Sequence, residues 1–203
     1  MFIGKWNKSV ILTYVGLMFA VAGIFLAFTT DKITYSYSCL MMAGICDLFD
    51  GMVARKCKRT EEEKLFGIEL DSLVDVVNFI ALPICIFIAM GLTHIWDPFI
   101  FALFAICGVA RLGYFNIATA DSEGPVKYYT GLPVTFSALI FPLIYLLKVP
   151  LPKNVFPFVF EGFIVLISVC QILKVKIPKP KGIWYGIFGL LAIVMLVVFL
   201  VFL

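Results

Sequence analysis

Charge is scarce in this 203-residue chain: 14% of its residues are Asp, Glu, Lys or Arg, histidine occurs once, and 63% are hydrophobic. With a mean hydropathy of +1.07, that scarcity excludes an ordinary soluble domain. Low-complexity tracts and internal repeats are absent too. No two of the six cysteines (Cys39, Cys46, Cys57, Cys85, Cys107, Cys170) form a CxxC pair; they are expected as reduced thiols that pack as small hydrophobes. The first apolar stretch has no small-residue cleavage site and is too long for a signal-peptide core, so it reads as a retained helix. The net charge of +3 does not point to nucleic acid.

What is present is apolar sequence in membrane-length pieces. A crossing helix needs roughly 20 apolar residues, and seven stretches qualify, at about 9–30, 33–57, 62–92, 97–118, 132–148, 154–173 and 183–203. They predict an all-α polytopic membrane helix bundle of about seven spans (six to eight), forming a single integral membrane domain over residues 1–203. The third stretch is long enough to protrude, and the fifth is short and contains Pro142. The opening MFIGKWNKS is expected as an interfacial helix with Phe2, Ile3 and Trp6 in lipid.

Twelve of the sixteen Lys and Arg fall on one side of such a bundle: Lys5 and Lys8, five between Arg55 and Lys64, Lys127, and four between Lys174 and Lys181. Lys32, Lys148 and Lys153 fall on the other, and Arg111 lies within a span. This asymmetry predicts a multi-pass protein of the cell membrane with its N-terminus inside. The basic inner loops suit anionic headgroups and anionic soluble substrates.

Against this background, two pairs of acids stand inside the spans, Asp47 with Asp50 and Asp71 with Asp75. Each ionised Asp near a bilayer centre costs about 2.5–3.5 kcal/mol on the lenient insertion scale, so all four need water, cations or partners. Helical residues three and four apart share a face. The second span runs inward and the third outward from one cytosolic loop, which brings both pairs together near the inner surface. Four oxygen donors without His or Cys suit Mg²⁺ or Mn²⁺ better than zinc, and two such ions could share them. Glu69 is about 200° round the helix from Asp71 and faces elsewhere. Gly44, Gly51, Ala54 and Gly67 are small beside the acids, permitting close packing and approach of a large ligand. Arg55 follows where a cation can reach a phosphate. A divalent cation transporter would also collect acids in a membrane, but it leaves the Gly, Ala and Arg positions unexplained.

The run Asp47-Leu-Phe-Asp50-Gly51-Met-Val-Ala54-Arg55 followed by Gly67-Ile-Glu-Leu-Asp71-Ser-Leu-Val-Asp75 resembles the signature of the CDP-alcohol phosphotransferases. The intervening KCKRTEEEKLF is longer than the family's usual gap by nearly one helical turn, which bears on loop contacts such as Thr60. The family's Pro-Asn pair in the first span is absent, with Thr13 matching the threonine after it. Arg111-Leu-Gly-Tyr-Phe-Asn116 and Gly131-Leu132-Pro133 are similar to elements of the branch that makes phosphatidylserine.

The resemblance implies attack of the L-serine hydroxyl on the β-phosphate of a CDP-linked lipid (CDP-diacylglycerol or CDP-archaeol), with release of CMP. It assigns Asp47, Asp50, Asp71 and Asp75 to Mg²⁺ or Mn²⁺, Asp75 also to the general base, and Gly51, Ala54, Arg55 and Thr60 to the CDP-lipid. It also implies a homodimer. Glycerol phosphate or inositol phosphate remain alternative acceptors. Arg111 has two readings, a clamp on the serine carboxylate or a counter-charge to one of the aspartates, and Asn116 is a candidate for the serine amine or hydroxyl. Gly131-Leu132-Pro133 reads as a structural turn. His94 reads as an isolated, solvent-exposed residue in an outer loop.

Overall fold

The computed structural model describes residues 4–5, 7–120, 128–178 and 183–201. Phe2, Ile3, Trp6, Lys127, Lys179 and Lys181, used above for the interfacial helix and the charge asymmetry, lie outside them.

Each of the seven apolar stretches holds a helix. They are α1 (Ile11–Thr29), α2 (Ile33–Lys56), α3 (Glu61–Val76) running on into α4 (Leu82–Ala89), α5 (Asp97–Ala120), α6 (Ser137–Tyr145), α7 (Phe156–Ile172) and α8 (Ile183–Val201). Four helical segments are long and apolar enough to cross a bilayer; Val134–Lys148, Phe156–Ile172 and Gly186–Val201 are shorter apolar helices. The short fifth stretch comprises α6 with a 3₁₀ turn at each end and Pro142 inside.

α3 and α4 form one continuous helix, Glu61–Ala89, through a π-helical turn at Val77–Ala81. Pro83 explains that turn: its ring would collide with the carbonyl four residues back, and a wider turn relieves the clash. At about 1.5 Å per residue the 29-residue rod is about 43 Å long, so it outreaches a hydrocarbon core of about 30 Å. Its far end closes on Gly91 (φ +90°), with Gly91 N–H bonded to Ile88 O and Leu92 N–H to Phe87 O, a Schellman cap.

Small residues bring the first helices close. Gly16, Ala20, Gly23 and Ala27 form the buried stripe of α1, and a Cβ on Gly23 would stand 2.9 Å from both Cys39 Cβ and Leu82 Cδ1, so the glycine is what lets α1 seat here. Deeper, the core is aromatic: Phe87 lies with ring centroids 4.7 Å from Phe141 and 5.4 Å from Phe160, joining α4, α6 and α7. Outward faces of α1, α5, α7 and α8 carry exposed Phe25, Phe99, Leu166 and Leu190, as lipid contact requires. All six cysteines are free.

One element adds to the all-α expectation. β1 (Tyr128–Thr130) pairs antiparallel with β2 (Lys176–Pro178), linking the α5–α6 and α7–α8 connections. Gly131 joins this ribbon to α6 at φ +73°; its N–H bonds Val175 O, and Leu132 N–H bonds Cys170 O near the end of α7. The Gly-Leu-Pro turn is thus structural, and it also satisfies a carbonyl that a helix end leaves open.

Candidate active site

α3 starts at Thr60, whose hydroxyl accepts from Glu63 N–H while the Glu63 carboxylate accepts from Thr60 N–H. This capping box sets where the helix begins, and hence which way Asp71 and Asp75 project about three and four turns later. Glu61 pairs with Lys64, and Glu62 with Lys5, at 2.6 Å each. The hydrogen bond and charge of Glu62 push the exposed Lys5 ammonium above its ordinary pKa. Asn7 Nδ2 also donates to Lys58 O at 3.4 Å. The N-terminal segment is thereby tied to the α2–α3 connection, at what we call the N-terminal end of the bundle.

The two acid pairs meet there. Ligand oxygens of Asp47, Asp71 and Asp75 all lie within 4.8 Å of one another, and Asp50 accepts from the Thr13 hydroxyl of α1 at 3.2 Å. Asp75 is buried, and the other three are half-buried. Carboxylates held this close repel one another unless protons or cations lie between them. The donor set is all oxygen, which fits hard divalent ions, so Asp47, Asp50, Asp71 and Asp75 could hold them.

The four acids line one cavity of about 460 Å³, together with Gly51, Arg55, Arg111 and Asn116. Arg111, on α5, is 6% exposed, and its guanidinium lies 4.9 Å from the Phe115 ring and 5.8 Å from the Tyr129 ring. Its Nε is buried without a hydrogen-bond partner among the described residues. The charges of Asp75 and Asp47 reach it, but among the described residues no carboxylate comes within ion-pair distance of it. Asn116 exchanges hydrogen bonds with Ser72 of α3, at 2.8 and 3.1 Å, beside Asp71.

Of the sequence candidates, Thr60 and Ala54 are not on the cavity wall. Thr60 caps α3, and Ala54 is half-buried one turn beyond Asp50. Arg55 is exposed in the last turn of α2, with Nη1 3.7 Å from where a Cβ would stand on Gly51. Glu69 is exposed and off the wall, as its helical phase predicts. A second, apolar groove between α2, α6 and α8 shares Asp47, Leu48, Thr135 and Phe136 with the cavity and continues past Gly44 to Ala192. A Cβ on Gly44 would fall 2.6 Å from Ala138 Cβ, so this glycine sets how closely α6 approaches.

Ser72, Phe115, Tyr129 and Thr135 were not foreseen on the cavity wall; helical phase beside Asp71 and Arg111 was the only available hint for the first two. His94 departs from expectation. It is one-third exposed and its Nδ1 sits 2.8 Å from Glu161 Oε1, because Glu161, 67 residues away, comes from α7.

The chain is 35% identical over 160 residues to the CDP-diacylglycerol–serine O-phosphatidyltransferase of Saccharomyces cerevisiae, covering 69% of this chain and 57% of that protein. It is 30% identical over 178 residues to the enzyme of the same name from Helicobacter pylori, covering 84% and 74%. It is also 31% identical over 145 residues to the archaetidylserine synthase of Methanothermobacter thermautotrophicus, covering 70% and 58%. The match thus spans little more than half the length of the yeast and Methanothermobacter proteins. The CDP-alcohol phosphatidyltransferase model matches residues 6–203. With the motif acids gathered on one cavity wall and the match running over nearly the whole chain, the protein belongs to the CDP-alcohol phosphatidyltransferase family.

Proposed function

We propose that this chain transfers a phosphatidyl-type group from a CDP-linked lipid to the hydroxyl of L-serine, releasing CMP and leaving a serine phospholipid in the membrane. The observation that carries the reading is the shared wall. The acid cluster, two arginines and an apolar groove meet at Asp47 and Leu48, which suits a ligand with a diphosphate at one end and hydrocarbon at the other. The names of the yeast, Helicobacter and Methanothermobacter relatives support serine as acceptor.

In this mechanism Asp47, Asp50, Asp71 and Asp75 hold divalent cations, Mg²⁺ or Mn²⁺ and two in number. The ions supply neutralisation of the diphosphate and of the charge that develops on departing CMP. Arg55 takes a phosphate of the CDP group, with Gly51 leaving room beside it and Ala54 behind it. Thr60 contributes through the cap that orients α3. Arg111, with a free Nε and no carboxylate in ion-pair contact, takes the serine carboxylate and so fixes its hydroxyl toward the acids. Asn116, itself oriented by Ser72, supports the serine amine. Asp75 accepts the hydroxyl proton as the serine oxygen bonds to the β-phosphorus and the bond to CMP breaks. A base for this step needs only partial contact with the cations, since full ligation lowers its proton affinity. Inositol phosphate brings a second phosphate, for which the cavity wall has, among the described residues, no cation beyond Arg55 and Arg111.

We assign the N-terminal end, and with it the site, to the cytosolic side of a cell membrane, and the working protein to a homodimer. Purified protein given CDP-lipid, labelled serine and Mg²⁺ or Mn²⁺ should yield CMP and a serine lipid. A parallel panel of glycerol phosphate, inositol phosphate and ethanolamine should yield little. Asp75→Asn should abolish turnover while keeping CDP-lipid binding; full activity in that variant would remove Asp75 as the base. Cation flux into vesicles with no CMP release would overturn the transferase reading.

A further inference from the structure

The opposite end of the bundle holds a second constellation that the proposed reaction does not use. Asp97 opens α5, Glu161 lies one turn into α7, and His94 stands in the connection before α5. Ligand atoms of all three lie within 4.8 Å of one another. His94 Nδ1 is 2.8 Å from Glu161 Oε1 and 3.5 Å from Asp97 Oδ2. Fourteen residues of α5 separate Asp97 from Arg111, about 21 Å at the helical rise, so this is not an outlying part of the catalytic cavity.

Two features separate this cluster from an ordinary histidine–carboxylate contact. Asp97 and Glu161 are 1% and 5% exposed, and among the described residues neither pairs with a Lys or Arg; two buried carboxylates therefore face one imidazole. Moreover, Asp97 Oδ1 is buried with no hydrogen-bond partner among the described residues. Leaving a buried acceptor unsatisfied costs about 1–3 kcal/mol, more for a charged one.

The surroundings hold the donors in place as the second shell of a metal site does. Trp96 Nε1–H donates to Glu161 Oε2 at 2.9 Å, and His94 N–H donates to Asp97 Oδ2 at 2.6 Å. The imidazole is stacked on Trp96 and Phe158, with centroids 4.9 and 5.3 Å away. Zinc-to-nitrogen and zinc-to-oxygen bonds of about 2.0–2.2 Å place tetrahedral ligand atoms about 3.3–3.5 Å apart. The 3.5 Å separation already matches, and the 2.8 Å one needs to open by about 0.5 Å.

We propose that His94, Asp97 and Glu161 bind a divalent transition-metal ion of the Zn²⁺ class, with water completing the shell. One imidazole with two carboxylates is a borderline donor set that prefers such ions over Mg²⁺. The ion neutralises the buried carboxylates and clamps the ends of α5 and α7 together.

The test uses full-length protein in detergent, stripped with chelator and then held in excess Mg²⁺ so that the Asp47–Asp75 cavity is filled. Zn²⁺ titration read by calorimetry and elemental analysis should show one tight equivalent per chain and a raised Tm. Asp47→Asn combined with Asp71→Asn should keep that equivalent. Glu161→Gln and His94→Ala should lose it while retaining basal transferase activity, and Trp96→Phe should weaken it by about 10–100-fold. Co²⁺ added to the wild type should give the visible absorption of a four-coordinate nitrogen–oxygen site, a readout that needs no variant. No retained Zn²⁺ and no such Co²⁺ spectrum in the wild type overturns the proposal, as does undiminished binding in Glu161→Gln and His94→Ala.

Discussion

Arg111 concentrates the residue-scale chemistry of the cavity. A guanidinium that is 6% exposed, stacked against Phe115 and Tyr129 and short of a contact carboxylate, is already desolvated before a ligand arrives. A carboxylate presented to its planar fork gains two parallel hydrogen bonds that an ammonium cannot reproduce. Arg111→Lys is therefore expected to raise KM for serine about tenfold, the equivalent of about 1.4 kcal/mol, while KM for the CDP-lipid stays near the wild-type value. Steady-state kinetics with each substrate varied in turn checks this; equal increases in both would return Arg111 to a counter-charge role. At this scale the four aspartates were legible in the sequence because helical spacing alone aligns i,i+3 and i,i+4 pairs. The Ser72–Asn116 and Thr13–Asp50 contacts were not, since they join residues 44 and 37 positions apart and depend on how helices rotate against each other.

Among the elements, the ribbon of β1 and β2 has the largest effect for its size. It seats the start of α6 on the end of α7, and it carries Tyr129 to the face of Arg111. Gly131 is the hinge of that seat: its φ is +73°, and a Cβ there would fall onto the Gln171 carbonyl. Gly131→Ala should cost more than about 1 kcal/mol, seen as a lower Tm in detergent. It should also raise KM for serine, because the Tyr129 ring moves with the turn. Three-residue strands drawn from connections 46 residues apart leave no periodic trace in the sequence, so this ribbon could not be anticipated. Nor could the π-turn before Pro83, which sits in an apolar run that reads equally well with either helical period. The helices themselves were legible from hydropathy, and so were the shortness of the fifth and the excess length of the third.

For the molecule as a whole, the two ends of the bundle carry different donor chemistry: four carboxylates at one, an imidazole with two carboxylates at the other. Chelation at neutral pH should abolish transferase turnover, and Mg²⁺ or Mn²⁺ alone should restore it, since the cavity acids offer only oxygen. Loss of activity that only Zn²⁺ repairs would instead place the essential ion at the far end. Counting ionisable residues in the sequence revealed the first end, because acids inside apolar spans are conspicuous. It missed the second, because His94 and Asp97 stand near a span boundary, where a polar residue is unremarkable, and Glu161 is a lone acid within α7, with no partner at helical spacing to mark it until α5 and α7 are packed together.

In the proposed reaction, the groove that leads from Asp47 between α2, α6 and α8 gives the two substrates different dimensionality. A lipid that enters along this path never leaves the bilayer, so its encounters are governed by molecules per unit area, whereas serine arrives from three-dimensional solution. In mixed micelles or vesicles, the rate at fixed bulk CDP-lipid should therefore fall as inert lipid or detergent dilutes the surface, and recover when the surface mole fraction is restored at a lower bulk concentration. KM for serine should be indifferent to that dilution.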